Sequence, residues 1–262
     1  MRRRHTAMIM VALLFLILLH NFPDVALADE TQAERDFLAA GKAYETGQWS
    51  TAISLYEGVM GRAGFSASLC YNLANSYAQN GQTGKAVLHY ERALLLTPGD
   101  ADSRHNLQRL RQEKGLDQGD IPFVHQAATL LGLNQWTLPA ALLLAALALF
   151  HLVSLRRPVS IRLSCLLTIG GLILLCLCSA GMLIQYRNWH RAVLSFGATP
   201  VLISPFAGAA DTGILQEGRL IHVLKTHDHY ALIRDEQGQK KGWVPIASFE
   251  YIAKTITDSK NL

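Results

Sequence analysis

Three shortages bound this chain of 262 residues before any motif is sought. The HExxH, GxSxG and CxxC signatures do not occur, so zinc-protease, serine-hydrolase and thiol-redox chemistry have no local basis. Cysteine is scarce: Cys165, Cys176 and Cys178 share one apolar stretch, and Cys70 stands alone in a helical pattern. Four such residues form no disulfide framework, and a free cysteine behaves as a small buried hydrophobe. Charge is scarce too, at 17% of residues with a net +4, and the only basic block is Arg2-Arg3-Arg4. Nucleic-acid binding is not expected on that pattern. Gly81-Gln82-Thr83-Gly84-Lys85-Ala86 comes nearest to a phosphate loop, but its glycine spacing is wrong and Ala86 replaces the Mg²⁺-binding hydroxyl. His227 and His229 share a face if extended, yet lack a third metal ligand, and a solvated turn is expected there. The chain reads as neither an enzyme nor a cofactor protein.

Charge is missing altogether from residues 140–150 and 166–177. The surrounding segments, 136–155 and 163–185, are each long enough to cross a bilayer, which takes roughly 20 apolar residues. Near the N-terminus, the arginines are followed by an apolar run over residues 8–19 and then by Ala26-Leu27-Ala28. That run is too short to span, and its order is that of a secretory signal over residues 1–28. An uncleaved anchor is the alternative. Arg156, Arg157 and Arg162 crowd the loop 156–162 and place it in the cytoplasm by the positive-inside rule. Both flanking regions then face the other side, although Arg187 and Arg191 weigh mildly against this. Ala141, Ala145 and Ala148 on the first span, and Ser164, Thr168, Gly171 and Cys178 on the second, are small residues on which the helices can pack. No Asp, Glu or Lys lies mid-span, which argues against an ion or proton pathway.

Residues 30–113 carry a repeat. Gly47, Ala52 and Tyr56 return as Gly81, Ala86 and Tyr90, each 34 residues later. That is the tetratricopeptide period, a helix–turn–helix unit. Ala74 and Ala86 sit where helices touch, Gly81 turns the chain, Tyr77 and Tyr90 fill the space between neighbours, and Pro98 stops the second helix. Asn106 and Leu107 follow Asn72 and Leu73 by the same 34 residues and mark a charged capping helix. The first helix of each repeat lines the groove. Tyr71, Asn72, Asn75 and Gln79, with Asn106 and Arg109, are the candidate peptide-binding residues, since amides and one guanidinium can hold an extended backbone or a carboxylate. Alternatively, Asn72 and Asn106 only bond to neighbouring helices. Residues 114–135 form a linker whose apolar side (Ile121, Val124, Ala128, Leu131) suits the membrane surface.

Residues 190–254 switch to short β-rich runs: Val193-Leu194, Val201-Leu202-Ile203, Leu220-Ile221-His222-Val223-Leu224, Tyr230-Ala231-Leu232-Ile233 and Gly242-Trp243-Val244-Pro245. Turn formers separate them, which predicts a small barrel. The order resembles bacterial SH3-like domains, and this resemblance implies peptide or peptidoglycan binding, with Trp243 as the candidate ligand residue. Core packing of Trp243 is the alternative.

The fold class expected is multidomain: a helical tetratricopeptide solenoid, a two-helix transmembrane hairpin and a small all-β SH3-like barrel. That order, with Tyr71-Asn72-Leu73-Ala74-Asn75-Ser76-Tyr77 and Tyr90-Glu91-Arg92-Ala93-Leu94, resembles the BatE family of the Bacteroides aerotolerance group. The resemblance implies residence in the bacterial inner membrane, with the repeats and barrel in the periplasm. The partners it implies are von Willebrand A-domain membrane proteins, other Bat proteins and a MoxR-type ATPase. Two functions remain open: an adaptor acting through the repeats, and a wall or peptide sensor acting through the barrel.

Overall fold

The computed structural model describes residues 30–116, 133–156, 160–188, 191–236, 238 and 240–253. The signal segment 1–28, most of the linker and Arg157 lie outside the described residues.

Five helices form the first body: α1 (Glu30–Glu45), α2 (Trp49–Ala63), α3 (Ala67–Gln79), α4 (Thr83–Leu96) and α5 (Ala101–Glu113). The repeat alignment explains their joints. Gly47 and Gly81 both take positive φ, 73° and 78°, a backbone state that costs glycine nothing. Ser66 and Asp100 cap α3 and α5 by accepting from the amides of Leu69 and Ser103. Ala40, Ala52, Ala74 and Ala86 are fully buried where helices cross, and Tyr56, Tyr77 and Tyr90 fill the gaps between them. Burying each such aromatic is worth about 1.5–3 kcal/mol, so packing rather than propensity holds these short helices.

Two further helices, α6 (Leu133–Ser154) and α7 (Ile161–Asn188), are long and apolar enough to cross a membrane. They pack antiparallel. Trp136 lies against Gly181, Leu147 against Gly171, and His151 Nε2 is 3.2 Å from Thr168 Oγ1. The expected stripe on α7 faces its partner: Ser164, Thr168, Gly171 and Cys178 are its covered side. On α6 the expectation fails. Ala141, Ala145 and Ala148 point outward, and the contact side is Trp136, Ala140, Leu143, Leu147 and Phe150. The glycines of α7 leave holes, and a hole is filled by a large knob rather than by another small residue.

Seven antiparallel strands follow: β1 (Arg191–Leu194), β2 (Thr199–Leu202), β3 (Asp211–Leu215), β4 (Leu220–His227), β5 (Tyr230–Asp235), β6 (Lys241–Pro245) and β7 (Phe249–Tyr251). Their order is β3-β2-β6-β5-β4-β1-β7. The expected closed barrel does not form. β3 and β7 end the sheet on opposite sides and do not pair with each other. The carbonyls of Tyr251 and Ile252, at the β7 end, accept from the Arg92 guanidinium of α4. One face of the sheet is its own core, built on Ala192, Leu194, Val201, Ile221, Ile233 and Val244.

The helical body and the sheet share a second core. Val193, Leu220 and Ile252 join Val87, Leu88, Leu107, Leu110 and Leu116 in one apolar cluster. The backbones come close at Gly84 of α4, where an added Cβ would lie 2.7 Å from the Leu194 carbonyl oxygen. At Gly218 an added Cβ would lie 2.7 Å from Leu116. The sheet therefore packs on the helical body at α4, which also carries α5.

Candidate functional site

The groove candidates occupy two helices, and the structure divides them. Asn106 on α5 donates from Nδ2 to Tyr71 Oη at 3.1 Å and to Asn75 Oδ1 at 3.3 Å. Tyr90 of α4 also donates to Asn75 Oδ1, and its ring meets that of Tyr71 edge-on at 6.2 Å. Burial pushes the Tyr90 phenol up, so it stays a neutral donor. Tyr71, Asn75, Tyr90 and Asn106 thus form a hydrogen-bonded seam joining α3, α4 and α5. For Asn106, bonding to neighbouring helices is what the structure contains.

Asn72 and Gln79 stand apart from the seam. They lie seven residues apart on α3, on one helical face, and their side-chain amides bond to no described residue. Arg109 is exposed one turn beyond Asn106, with Glu113 at 3.8 Å. Leu38 was missed. It is 34 residues before Asn72, and hence at the same repeat position, and it is 65% exposed. The repeat spacing alone could have found it. The equivalent positions Leu38, Asn72 and Asn106 run from apolar to polar along the array, and Gly41, Asn75 and Arg109 run from bare to basic. Such a surface can take an apolar side chain at one end and carbonyl or carboxylate oxygens at the other.

Trp243 is not an open platform. It is 9% exposed. Lys225 Nζ covers its ring at 5.2 Å, and the His227 ring meets its edge at 6.3 Å. His229 stands in the turn after Asp228 and is not on the strand with His227, so the two do not share a strand face.

The strongest electrostatic cluster lies where helices meet sheet. Glu91 of α4 accepts from Arg111 at 2.6 Å and from Arg191 at 3.3 Å, and Arg191 also reaches Glu236 at 3.1 Å. Burial alone would raise the Glu91 carboxyl, but Arg191 and Arg111 beside it hold it below its ordinary range. Lys85 lies over the rings of Tyr77, at 5.1 Å, and of Phe196 from the sheet, at 5.6 Å. Between these contacts, His89 stacks on Tyr77, and its buried Nδ1 has no partner among the described residues. Burial first, then Arg92 and Lys85, press the His89 pKa well below 6.5. The ion pairs of Glu91, Arg111, Arg191 and Glu236 and the Lys85–Phe196 contact tie the helices to the sheet, while His89 Nδ1, Arg111 Nε, Arg191 Nε and Glu236 Oε2 are left without partners among the described residues.

Residues 67–100, which comprise α3, its turn, α4 and the four residues after it, match the family model of the tetratricopeptide repeat. Comparison with curated proteins finds no match. The tetratricopeptide repeat family is a non-enzymatic protein-interaction module.

Proposed function

We propose that this protein is a membrane-anchored adaptor whose repeat groove binds partner proteins. The observation that carries the reading is the groove itself. Asn72 and Gln79 leave their amides unspent, beside a seam that fixes the surrounding helices. On α6 and α7, Leu142, Leu149, Leu166 and Leu172 face outward and are more than half exposed, and such a surface suits lipid rather than water. A hairpin returns the chain to the side it left. That agrees with the docking of the later sheet on the earlier helices, and the loop arginines favour the periplasm for both. The order of segments supports a place among Bat-type proteins, with A-domain membrane proteins as partners in envelope assembly or aerotolerance. The sensor alternative draws less support, because the Trp243 ring is covered.

The test is capture in the native membrane. Cross-linking of the full-length chain should recover A-domain membrane proteins, and an Asn72→Ala/Gln79→Ala variant should lose them. Equal recovery by that variant would overturn the reading. These positions serve better than Asn106, whose removal would also break the seam.

A further inference from the structure

The chemistry of the partner can be read from the charges around the groove, and this inference rests on the groove reading above. The 34-residue period sets three stripes side by side. Glu34, Leu38, Gly41 and Glu45 form one on α1. Their equivalents are Ser68, Asn72, Asn75 and Gln79 on α3, and Asp102, Asn106, Arg109 and Glu113 on α5. The spacing i, i+4, i+7, i+11 keeps each stripe on one helical face. That face is open, since every residue of the stripes is exposed or half-buried.

Carboxylates stand at both ends of the two outer stripes. Glu34 and Asp102 mark one margin, and Glu45 and Glu113 the other, about 16 Å away at 1.5 Å per residue. Four carboxylates thus meet one guanidinium, Arg109, in a chain whose net charge is +4. Arg109 already faces Glu113 at 3.8 Å. Glu34, Glu45 and Asp102 have no ion pair among the described residues. The other cations of α1 and α5 lie off the stripes. Arg35 and Lys42 hold the positions of Leu69 and Ser76, which are buried, so they belong to the open end of the array. Arg104 donates to the Pro98 carbonyl, and Arg111 pairs with Glu91. His105 flanks the groove at the position of Tyr71, and Lys114 lies past the end of α5.

Leu38 points to the same partner. It is 65% exposed and stands one turn from Glu34 on the same face. An exposed aliphatic side chain beside an unpaired carboxylate matches lysine or arginine, whose apolar stem packs while its charged head stays among polar groups. Asn72 and Gln79, between the margins, offer donors and acceptors to a backbone.

We propose that the groove selects an extended peptide segment bearing Lys or Arg, its backbone on the α3 amides and its cationic heads at Glu34 and Asp102 on one side and Glu45 on the other. The carboxylates do not create the site; they decide which side chains it accepts. The test uses the full-length chain in detergent and immobilised pools of octapeptides. The pools are random except at the third and sixth residues, which are both Lys, both Gln or both Glu and point to opposite sides of an extended backbone. Retention should follow Lys over Gln over Glu, and salt should narrow the differences. Each exposed ion pair is worth about two- to fivefold, so two lysines should give about a tenfold preference over the Gln pool. Glu34→Gln/Glu45→Gln/Asp102→Asn should bring that preference to about parity. Arg109→Gln should raise it about two- to fivefold, a gain that misfolding does not produce. Retention that ignores charge, or favours Glu, yet is lost with Asn72→Ala/Gln79→Ala overturns the selection and leaves the groove. Absence of any retention that depends on Asn72 and Gln79 overturns both.

Discussion

Arg191, the first residue of the sheet, binds Glu91 of the second repeat at 3.3 Å across 100 residues of chain. Both side chains are mostly buried, and Arg111 and Glu236 complete the group. The pair joins two bodies that the sequence separates by the whole apolar hairpin. It also gives Arg191 a structural role, so its charge is not a free cation beside α7.

Breaking that pair by one side should therefore be costly. Arg191→Ala or Glu91→Ala leaves a buried charge with too few partners, and each is expected to destabilise the protein by about 3–5 kcal/mol. Glu91→Leu/Arg191→Met should recover much of the loss, since an apolar pair carries no desolvation penalty. Chemical denaturation of the full-length protein in detergent measures both. The pH dependence has a definite sign. The Glu91 pKa is lowered on folding, so its contribution is complete above the ordinary carboxylate range and is lost as pH falls through the lowered value.

A side chain added at Gly84 should push the helices off the sheet, because its Cβ would lie 2.7 Å from a backbone oxygen that cannot step aside. Gly84→Ala is expected to cost about 1–3 kcal/mol. Gly99 has nothing within 4 Å of its added Cβ, and Gly99→Ala should change stability by less than about 0.5 kcal/mol. Comparing the two melting temperatures isolates the contact.

Mild acid should weaken the same junction. His89 is buried and held neutral, with its pKa well below 6.5. The unfolded chain takes up a proton near pH 6.5 and the folded one does not. Stability contributed by neutral His89 is therefore present above that pH and declines as pH falls below it. Glu57, through Tyr77, and the cations Lys85 and Arg92 are the charged groups around it. His89→Gln should flatten the stability profile between roughly pH 5 and 6.5, measured by denaturant titration across that window.

In the hairpin, Gly171→Leu should splay α6 from α7, since an added Cβ already lies 2.8 Å from the Leu147 methyls. Gly170 has no atom within 4 Å of its added Cβ, and Gly170→Leu should be tolerated. Energy transfer between probes at the free ends of the two helices distinguishes the variants: distance rises for the first and holds for the second.

What could be read from the chain was whatever repeats or alternates. The 34-residue period located Gly47, Gly81 and the buried alanines, and the small-residue spacing located the contact side of α7. The runs of Val, Ile and Leu located five of the seven strands. The two that escaped notice are the edges. β3 contains Asp211 and a Gly213 at φ 135°, which weaken its strand pattern, and β7, although Phe249 and Tyr251 favour strands, is only three residues long. Without them the sheet looked like a closed barrel. The docking contacts were illegible for another reason. Nothing local marks Gly84, His89 or Arg191, whose roles depend on a strand 100 residues away from its helix. In the groove, residue type identified amides but not which were already bonded, and this is why Asn72 and Asn106 differ although they occupy the same repeat position.

The most direct test of the account places a photo-reactive amino acid at Gln79, in the groove, and separately at Ser54, an exposed position on α2. Irradiation of intact membranes should give a discrete heteromeric product from Gln79 and none from Ser54. Addition of Asn72→Ala should remove that product. Equal products from both positions, or a Gln79 product indifferent to Asn72, would contradict a partner-binding groove.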